Sequence, residues 1–261
     1  MNLSIAQFTF GLHAGGQERV VADLATAFHS RGHKSLVCSV MFEGQLADEL
    51  ESINIPVQCL KLKKSYDLRG LFPVLRYLKE NRVDVVISHG TIGSLIPRIA
   101  AVLSRVPVFI HVEHNISDHK RFYHIISNTV LSLFTDKIVC ISENARLSLL
   151  KRERLRSDKA IVIPNGLNTD RFQIVKTDGK KSNVHRRIGI VARFFEQKGH
   201  IYFVEAARQI VKLNSNVEFV FIGDGYLRPS IEQKVNECGI QNYCTFLGNR
   251  SDVHELLQTL L

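Results

Sequence analysis

The sequence lacks a long uncharged apolar run, a paired cysteine motif and a basic leader. No stretch of 18 or more residues is free of charge, and the most apolar candidate, Thr91 to Val112, contains Arg98 and Arg105, so a membrane-spanning helix is not expected. The five cysteines are an odd number without a C-x-x-C pair, which argues against disulfides and against a cysteine metal site. The start, MNLSIAQFTFGLHAGG, does not resemble a secretion signal. We therefore expect a cytoplasmic protein without a metal site.

Positive charge is in excess, with a formal net charge of +9. This charge is compatible with nucleic acid, an anionic membrane surface or a polyphosphate substrate. Two basic stretches, Asp118 to Ile126 and Arg146 to Lys159, would bind anionic headgroups or a lipid-linked phosphate on a membrane-associated enzyme. Solvated helix faces are the ordinary alternative for both. Neither stretch contains a recognised nucleic-acid motif, so we expect no nucleic-acid partner.

Short runs rich in β-branched residues alternate with segments of helical period, which predicts an α/β fold with a parallel sheet covered by helices on both faces. The predicted strands are Leu3 to Phe8, Ser35 to Val40, Val57 to Leu62, Val83 to Ser88, Val106 to Val112, Lys137 to Ile141, Ala160 to Ile163, Ile188 to Ala192, Val217 to Ile222 and Tyr243 to Leu247. The predicted helices are Gln17 to Ser30, Leu68 to Lys79, Lys198 to Leu213, Tyr226 to Glu237 and one that begins at Ser251-Asp252.

The apolar period of the first two helices predicts which face each one buries. The first should bury Val20, Val21, Leu24, Ala27 and Phe28, and the second Leu71, Phe72, Leu75 and Leu78.

A polar, basic segment, Val175 to Arg187, separates two series of strands and helices and has the composition of an interdomain linker. We predict an N-terminal Rossmann-like domain over 1–168, a linker over 169–186 and a C-terminal Rossmann-like domain over 187–261. The second is shorter than such domains usually are, so we expect it to be incomplete.

Glycines follow the first predicted strand, in the segment Gly11-Leu-His-Ala-Gly-Gly-Gln-Glu-Arg19. Because Gly15 and Gly16 lie where the first helix begins, their backbone N–H groups can receive a phosphate or lie close under a sugar. A glycine pair after a strand is as often a tight turn. Both interpretations stay open.

Two cations flank the first strand-to-helix turn predicted for the second domain, because Arg193 ends a strand and Lys198-Gly199 begins a helix. A diphosphate fits between a guanidinium fork, a compact ammonium and a helix N-terminus. A solvated surface pair is the alternative. Gly223, Gly225 and Asn249 follow later strands, where glycine permits either close approach of a nucleotide or a turn with positive φ.

The strand Val108-Phe-Ile-His-Val-Glu-His-Asn115 should present Glu113, His114 and Asn115 at the edge of the sheet. His111 and His114 project to opposite faces and would not share one metal ion. We expect His114 to bind a sugar hydroxyl and His111 to pack in the sheet.

Taken together, these segments resemble glycosyltransferase family 4, the retaining enzymes of the GT-B fold with two Rossmann-like domains. The resemblance covers nearly the whole chain and is carried by Gly15-Gly16-Gln17-Glu18-Arg19, His114, Val139-Cys-Ile-Ser142, Ile163-Pro-Asn-Gly-Leu-Asn-Thr-Asp-Arg-Phe172, Arg193 with Lys198-Gly199, Ile222-Gly-Asp-Gly225 and Phe246-Leu-Gly248.

The resemblance implies transfer of a sugar from a UDP- or GDP-linked donor, with retained configuration and with neither a cofactor nor an obligatory metal. Arg193 and Lys198 would hold the diphosphate, Gly16 would lie near the donor, and His114 would contact the transferred sugar. Polysaccharide, lipopolysaccharide or glycolipid acceptors are implied, at the inner face of the membrane.

The sequence departs from the family at its end. Family members carry a Glu-x-x-x-x-x-x-x-Glu segment beyond the Phe-Leu-Gly strand, with one carboxylate facing the sugar and one holding the ribose. Here Glu255-Leu-Leu-Gln-Thr-Leu-Leu261 ends the chain, and no residue matches either carboxylate. We expect a truncated reading frame, and the alternative to an active transferase is an inactive remnant or a binding subunit.

Overall fold

The computed structural model describes residues 2–13, 15–64, 66–91, 93–114, 122–153, 155–167, 169–172, 186–250, 252–258 and 260. It divides into two compact units, Met1–Leu167 and Asn168–Leu261. Most of the predicted linker, the start of the first basic stretch, Asn115 and Ser251 lie outside the described residues. The predicted domain limits therefore stay a prediction.

The first unit is built on seven parallel strands in the order β3-β2-β1-β4-β5-β6-β7. The strands are β1 Ser4–Gly11, β2 Lys34–Phe42, β3 Val57–Cys59, β4 Val85–His89, β5 Val108–Glu113, β6 Lys137–Cys140 and β7 Ala160–Val162. The predicted parallel α/β fold is confirmed. The strand order reverses between β1 and β4, and in such sheets ligands bind beyond the carboxyl ends of the strands at this point.

Among the described residues of the first unit, six α-helices connect the strands: α1 Gly16–Ser30, α2 Gln45–Ser52, α3 Leu71–Glu80, α4 Leu95–Leu103, α5 Phe122–Ser132 and α6 Glu143–Glu153. The sequence had predicted only α1 and α3. Helix α4 was missed because its sequence, LIPRIAAVL, is short and apolar and contains Pro97, a residue that is unfavourable inside a helix.

The predicted buried faces of α1 and α3 are partly wrong. Helix α1 buries Val21, Ala22 and Ala25, so the contact face contains smaller residues than the predicted one. Small side chains let the helix lie close to the sheet. In α3, Leu78 is buried as predicted, but Phe72 is 75% exposed. Leu71 and Leu75 pack against the core as predicted, and Val74 and Tyr77 complete the buried face.

The second unit has a three-stranded parallel sheet in the order β10-β9-β8. Its strands are β8 Arg186–Val191, β9 Val217–Ile222 and β10 Cys244–Gly248, and its helices are α7 His200–Leu213, α8 Arg228–Glu237 and α9 Val253–Gln258. Aromatic side chains dominate the core: Phe221 stacks on Phe246 with ring centroids 4.4 Å apart, and Phe194 is fully buried. Burial of such rings supplies much of the hydrophobic stabilisation.

Helix α7 begins two residues later than predicted. Residues Glu196–Lys198 form a 3₁₀ turn, and Gly199 has the left-handed φ of +68°, which interrupts the helical path before His200. Lys198 therefore precedes the helix rather than opening it. Helix α8 likewise begins at Arg228 instead of Tyr226.

Candidate functional site

The loop after β1 leaves open space in front of α1. Gly15 is the N-cap of α1 and Gly16 its first residue, and a Cβ built on Gly16 would meet no atom within 4 Å. The carboxylate of Glu18 lies where a side chain on Gly15 would be. A carboxylate at a helix N-terminus offsets the positive end of the helix dipole. This loop is thus suited to an uncharged group such as a sugar rather than to a phosphate.

A chain of polar side chains crosses the carboxyl ends of β1, β4 and β5. His89 is fully buried; its Nε2 lies 3.0 Å from Oε1 of Gln7, and its Nδ1 lies 3.1 Å from Nε2 of His114. Burial holds the pKa of His89 well below its usual value, with smaller contributions from His114 and His111. Burial also lowers the pKa of His114, although Glu113 opposes the shift. Both rings are therefore neutral at pH 7.

Sequence reasoning placed His114 at this edge but missed Gln7 and His89. Gln7 was overlooked because one polar residue inside a strand is ordinarily taken as solvent-facing. A signal for His89 was present, since it directly follows an apolar run and precedes Gly90, as His114 follows β5.

The other polar residues of β4 and β5 are buried. His111 packs in the sheet as predicted, 1% exposed, with its Nδ1 2.9 Å from Oγ of Ser88. The expectation that Glu113 is presented at the edge is wrong, because its side chain is fully buried and accepts a hydrogen bond of 3.0 Å from Thr91. Glu113 therefore belongs to the support of the site. Asn115 lies outside the described residues.

In the second unit, Arg193 and Lys198 are exposed on the loop that follows β8. The guanidinium of Arg193 lies 4.9 Å from the ring centre of Phe195, which orients it by a cation–π contact. Within the described part of the chain, neither side chain forms an ion pair.

Four other arginines of this unit differ from Arg193, because each is paired with a carboxylate: Arg187, Arg208, Arg228 and Arg250. Arg193 and Lys198 are thus available for an external anion without first breaking an ion pair.

The glycines after β9 hold that loop against the loop after β8. Gly223 has a φ of +130°, and a Cβ there would lie 2.9 Å from the carbonyl carbon of Ala192 and would overlap its oxygen. The backbone N–H of Gly223 donates to the carbonyl oxygen of Gly248 over 2.8 Å, and the backbone N–H of Phe194 donates to the carbonyl oxygen of Asp224 over 3.0 Å. Packing of loop against loop therefore requires glycine at 223 whether or not a nucleotide binds.

The remaining predicted residues lie on the same loops. Gly225 also has a positive φ, and a Cβ there would lie 2.9 Å from the backbone nitrogen of Phe194. Asn249 is exposed directly after β10. Tyr226 donates a hydrogen bond to the carboxylate of Glu196, which lowers the pKa of that carboxyl and raises the pKa of Tyr226. The two loops are thereby joined by side chains as well as backbone.

The described residues hold no group of three metal-ligating side chains and no helix long and apolar enough to cross a membrane.

Comparison with known proteins identifies both halves of the chain. The sequence model of Glycosyltransferase Family 4 matches residues 14–171, and that of glycosyl transferases group 1 matches residues 173–260. The chain is 26% identical over 229 residues to the UDP-Gal:alpha-D-GlcNAc-diphosphoundecaprenol alpha-1,3-galactosyltransferase of Escherichia coli, covering 82% of this chain and 59% of that protein. Identity to the phosphatidylinositol N-acetylglucosaminyltransferase gpi3 subunit of Schizosaccharomyces pombe is 24%, over 90% of this chain and 54% of that one.

Among solved structures, the crystal structure of Anabaena HepE in complex with UDP and glucose superposes with a TM-score of 0.82 at 20% identity, covering 98% of this chain and 72% of that one. This likeness confirms the expected GT-B fold. The chain spans little more than half the length of the curated relatives, at 59% and 54% of the two compared.

Proposed function

Because this chain belongs to glycosyltransferase family 4, we propose that it takes part in transferring a sugar from a UDP- or GDP-linked donor to a saccharide or lipid-linked acceptor, with retention of configuration. The observation that carries the proposal is the pair of exposed cations after β8, Arg193 and Lys198, which have no carboxylate partner among the described residues.

The chemistry proposed for these two side chains is stabilisation of the departing diphosphate. As the bond between the anomeric carbon and the phosphate oxygen breaks, negative charge grows on the nucleotide diphosphate. Arg193 offers several N–H donors in a plane and Lys198 a compact positive charge. Contacts that strengthen as this charge develops accelerate the reaction. No cofactor or obligatory metal is invoked, and the acceptor hydroxyl is the nucleophile.

The first unit would supply contacts to the sugar. Gly16 leaves room beside α1, and His114 is partly exposed at the end of β5. These neutral groups suit hydroxyl-bearing ligands, in contrast to the cations of the second unit. Gly223, Gly225 and Asn249 are proposed to lie close to the nucleotide, since their loops adjoin the loop of Arg193.

A partner surface is proposed on α5 and the turn that follows it at residues 133 and 134, where apolar side chains are exposed. Phe122 is 77%, Leu133 66% and Phe134 58% exposed, with Ile126 and Val130 between them. Lys159 directly precedes β7, and its Nζ reaches the end of α5, where it donates to the carbonyl oxygens of Ser132, Leu133 and Thr135.

Exposed apolar side chains beside the Lys159 ammonium favour an anionic lipid surface, because each apolar group gains by leaving water and the cation by approaching the headgroups. We therefore place the protein peripherally at the cytoplasmic face of the membrane, near a lipid-linked acceptor. Cosedimentation with phosphatidylglycerol vesicles measures this binding. We expect Phe134→Ser to bind the vesicles more weakly than the unaltered chain. The control Phe72→Ser, whose ring is also exposed but lies on α3, should bind as well as the unaltered chain. Equal binding by both variants would contradict the surface.

The alternative function is that of a non-catalytic binding subunit or remnant. Both functions require donor binding through Arg193 and Lys198, and they differ in turnover.

The test has two stages. First, UDP and GDP binding is measured by calorimetry in the full chain, in Arg193→Ala, in Lys198→Ala and in the control Arg208→Ala, which lies on α7 paired with Glu205. Loss of a hydrogen-bonded charge contact costs about 1.5–3 kcal/mol, so each site variant should bind about 10- to 150-fold more weakly. Unchanged affinity in both site variants would refute the diphosphate assignment.

Second, transfer of radiolabelled sugar from UDP-glucose, UDP-galactose and UDP-N-acetylglucosamine to a lipid extract is followed by chromatography. Turnover lost in Arg193→Ala supports the transferase. Nucleotide binding without any turnover supports the binding subunit.

A further inference from the structure

The hydrogen-bonded side chains of Gln7, His89 and His114 determine which nitrogen of His114 carries its proton. Gln7, the first of the three, is fully buried. Its Nε2 donates to the carbonyl oxygen of Val21 over 3.2 Å. Because a carbonyl oxygen can only accept, the amide group of Gln7 faces Val21, and its Oε1 faces His89.

His89 is fixed by this acceptor. Its Nε2 lies 3.0 Å from Oε1 of Gln7, so Nε2 must carry the proton. A neutral imidazole has one N–H and one lone pair, and Nδ1 of His89 is therefore an acceptor. The neutral form is favoured because a cation in this fully buried position would lose its hydration. Gln17 adds a contact of 3.5 Å from its Nε2 to the carbonyl oxygen of His89, which helps to hold the residue in place.

The same rule then applies to His114. Its Nε2 lies 3.1 Å from Nδ1 of His89, and since that nitrogen accepts, Nε2 of His114 must carry a proton. The two rings stack with centroids 5.4 Å apart, so a charge on one ring would repel a charge on the other. Burial lowers the pKa of His114 and so favours its neutral form, in which Nδ1 is the lone pair; no described residue is bonded to that atom.

We propose that Gln7 and His89 are positioning residues that hold His114 in the Nε2–H form, so that its Nδ1 accepts a hydrogen bond from a hydroxyl of the saccharide substrate. The inference rests on the proposed function for its ligand, but the tautomer itself does not. It assigns to His114 the role of acceptor, and it excludes a cationic His114 that would attract phosphate.

The tautomers are observed directly by long-range ¹H–¹⁵N correlation spectra of the full chain labelled at histidine. His89→Gln and His114→Gln assign the two signals, and the exposed His29 is an internal control outside the site. We expect both His89 and His114 as pure Nε2–H forms at about neutral pH. An Nδ1–H form or an imidazolium at either position would overturn the inference.

Two variants of Gln7 separate positioning from general loss of structure. Gln7→Glu retains an oxygen acceptor towards His89 and should preserve the Nε2–H pattern at both rings. Gln7→Leu removes the acceptor and should give mixed tautomers at His89 and His114. If Gln7→Leu kept pure Nε2–H forms in a folded chain, Gln7 would not be a positioning residue. The wild-type and Gln7→Glu spectra test the tautomers even if Gln7→Leu does not fold.

Addition of UDP-glucose, UDP-galactose or UDP-N-acetylglucosamine tests the ligand. A hydroxyl that donates to Nδ1 of His114 should shift this ¹⁵N resonance upfield, whereas UDP alone should leave it unchanged. A bound nucleotide sugar that leaves the resonance unmoved would overturn the role of Nδ1. If no nucleotide binds but both tautomers are as expected, the proposed function fails while the positioning by Gln7 and His89 is supported.

Discussion

Replacement of Gly223 by alanine tests whether the loops after β8 and β9 depend on a glycine for their packing. With a φ of +130°, Gly223 occupies a backbone region that alanine adopts at a cost of about 1–3 kcal/mol. The added Cβ would also overlap the carbonyl group of Ala192. This overlap separates the loops and weakens the 3.0 Å hydrogen bond from Ala192 N–H to the carbonyl oxygen of Ile222, which contributes about 1 kcal/mol.

The expected loss for Gly223→Ala is therefore about 2–4 kcal/mol of unfolding free energy. Gly239→Ala is the matched control, since Gly239 has a φ of +69° but nothing within 4 Å of an added Cβ. The Gly239→Ala variant should lose only the free energy of holding alanine at a positive φ, about 1–2 kcal/mol. Gly16→Ala is a second control, in a helix and with open space around it, and should be neutral or stabilising by up to about 1 kcal/mol.

Urea unfolding followed by far-ultraviolet circular dichroism provides the measurement, because the chain contains no tryptophan for fluorescence. Both Gly223 and Gly239 lie in the second unit, so their variants report on the same structure. We expect the midpoint to fall in the order Gly16→Ala, Gly239→Ala, Gly223→Ala. Equal midpoints for Gly223→Ala and Gly239→Ala would show that the contact with Ala192 contributes nothing, and would refute the packing explanation.

Two further predictions concern buried charge and pH in the first unit. Arg98 is 1% exposed and donates to Asn128, and burial lowers its pKa to about 10 against the opposing effect of Glu113 and Glu153. Arg98→Leu should cost about 3–5 kcal/mol in urea unfolding, since buried carboxylates lose their cation; an unchanged midpoint would contradict this. Because the folded pKa of His89 is depressed by burial, the unfolded chain binds the extra proton below about pH 6.5, and stability should fall with decreasing pH by up to about 1.4 kcal/mol per unit. Stability should be independent of this group above about pH 7, and His89→Asn should flatten the acid slope of urea midpoints; an equal slope would refute it.

The strands were predictable because a central parallel strand is buried on both faces and reads as a short continuous apolar run. β4 illustrates this, since all five of its residues are buried. Helices α5 and α6 were not predicted. Helix α5 has apolar side chains on its exposed face as well as its buried one, which obscures the period. Helix α6, with the sequence ENARLSLLKRE, is so polar that only its contacts with the sheet reveal the buried Leu149.

The candidate residues likewise fall into those whose placement could be predicted from sequence and those whose placement could not. The placement of Arg193 and Lys198 between a strand and a helix could be predicted, because it is visible within a few residues of sequence. His89 and Gln7 could not, because they are 82 residues apart and meet only through the pairing of β1 with β4. A polar residue in a strand shows its partner only when the sheet order is known.

The described side chains of the two units differ in their chemistry. In the first unit, Glu18 opposes anion binding at the start of α1, and the buried contact with His89 keeps His114 neutral, so this edge favours hydroxyl groups. In the second unit, Arg193 and Lys198 are exposed cations that need not leave a carboxylate to meet an anion. A free sugar would contact only the neutral groups of the first unit, and a free nucleotide only the cations of the second. If each unit acts through its own groups, as proposed, UDP alone should bind the second unit and leave the His114 resonance of the first unit unmoved.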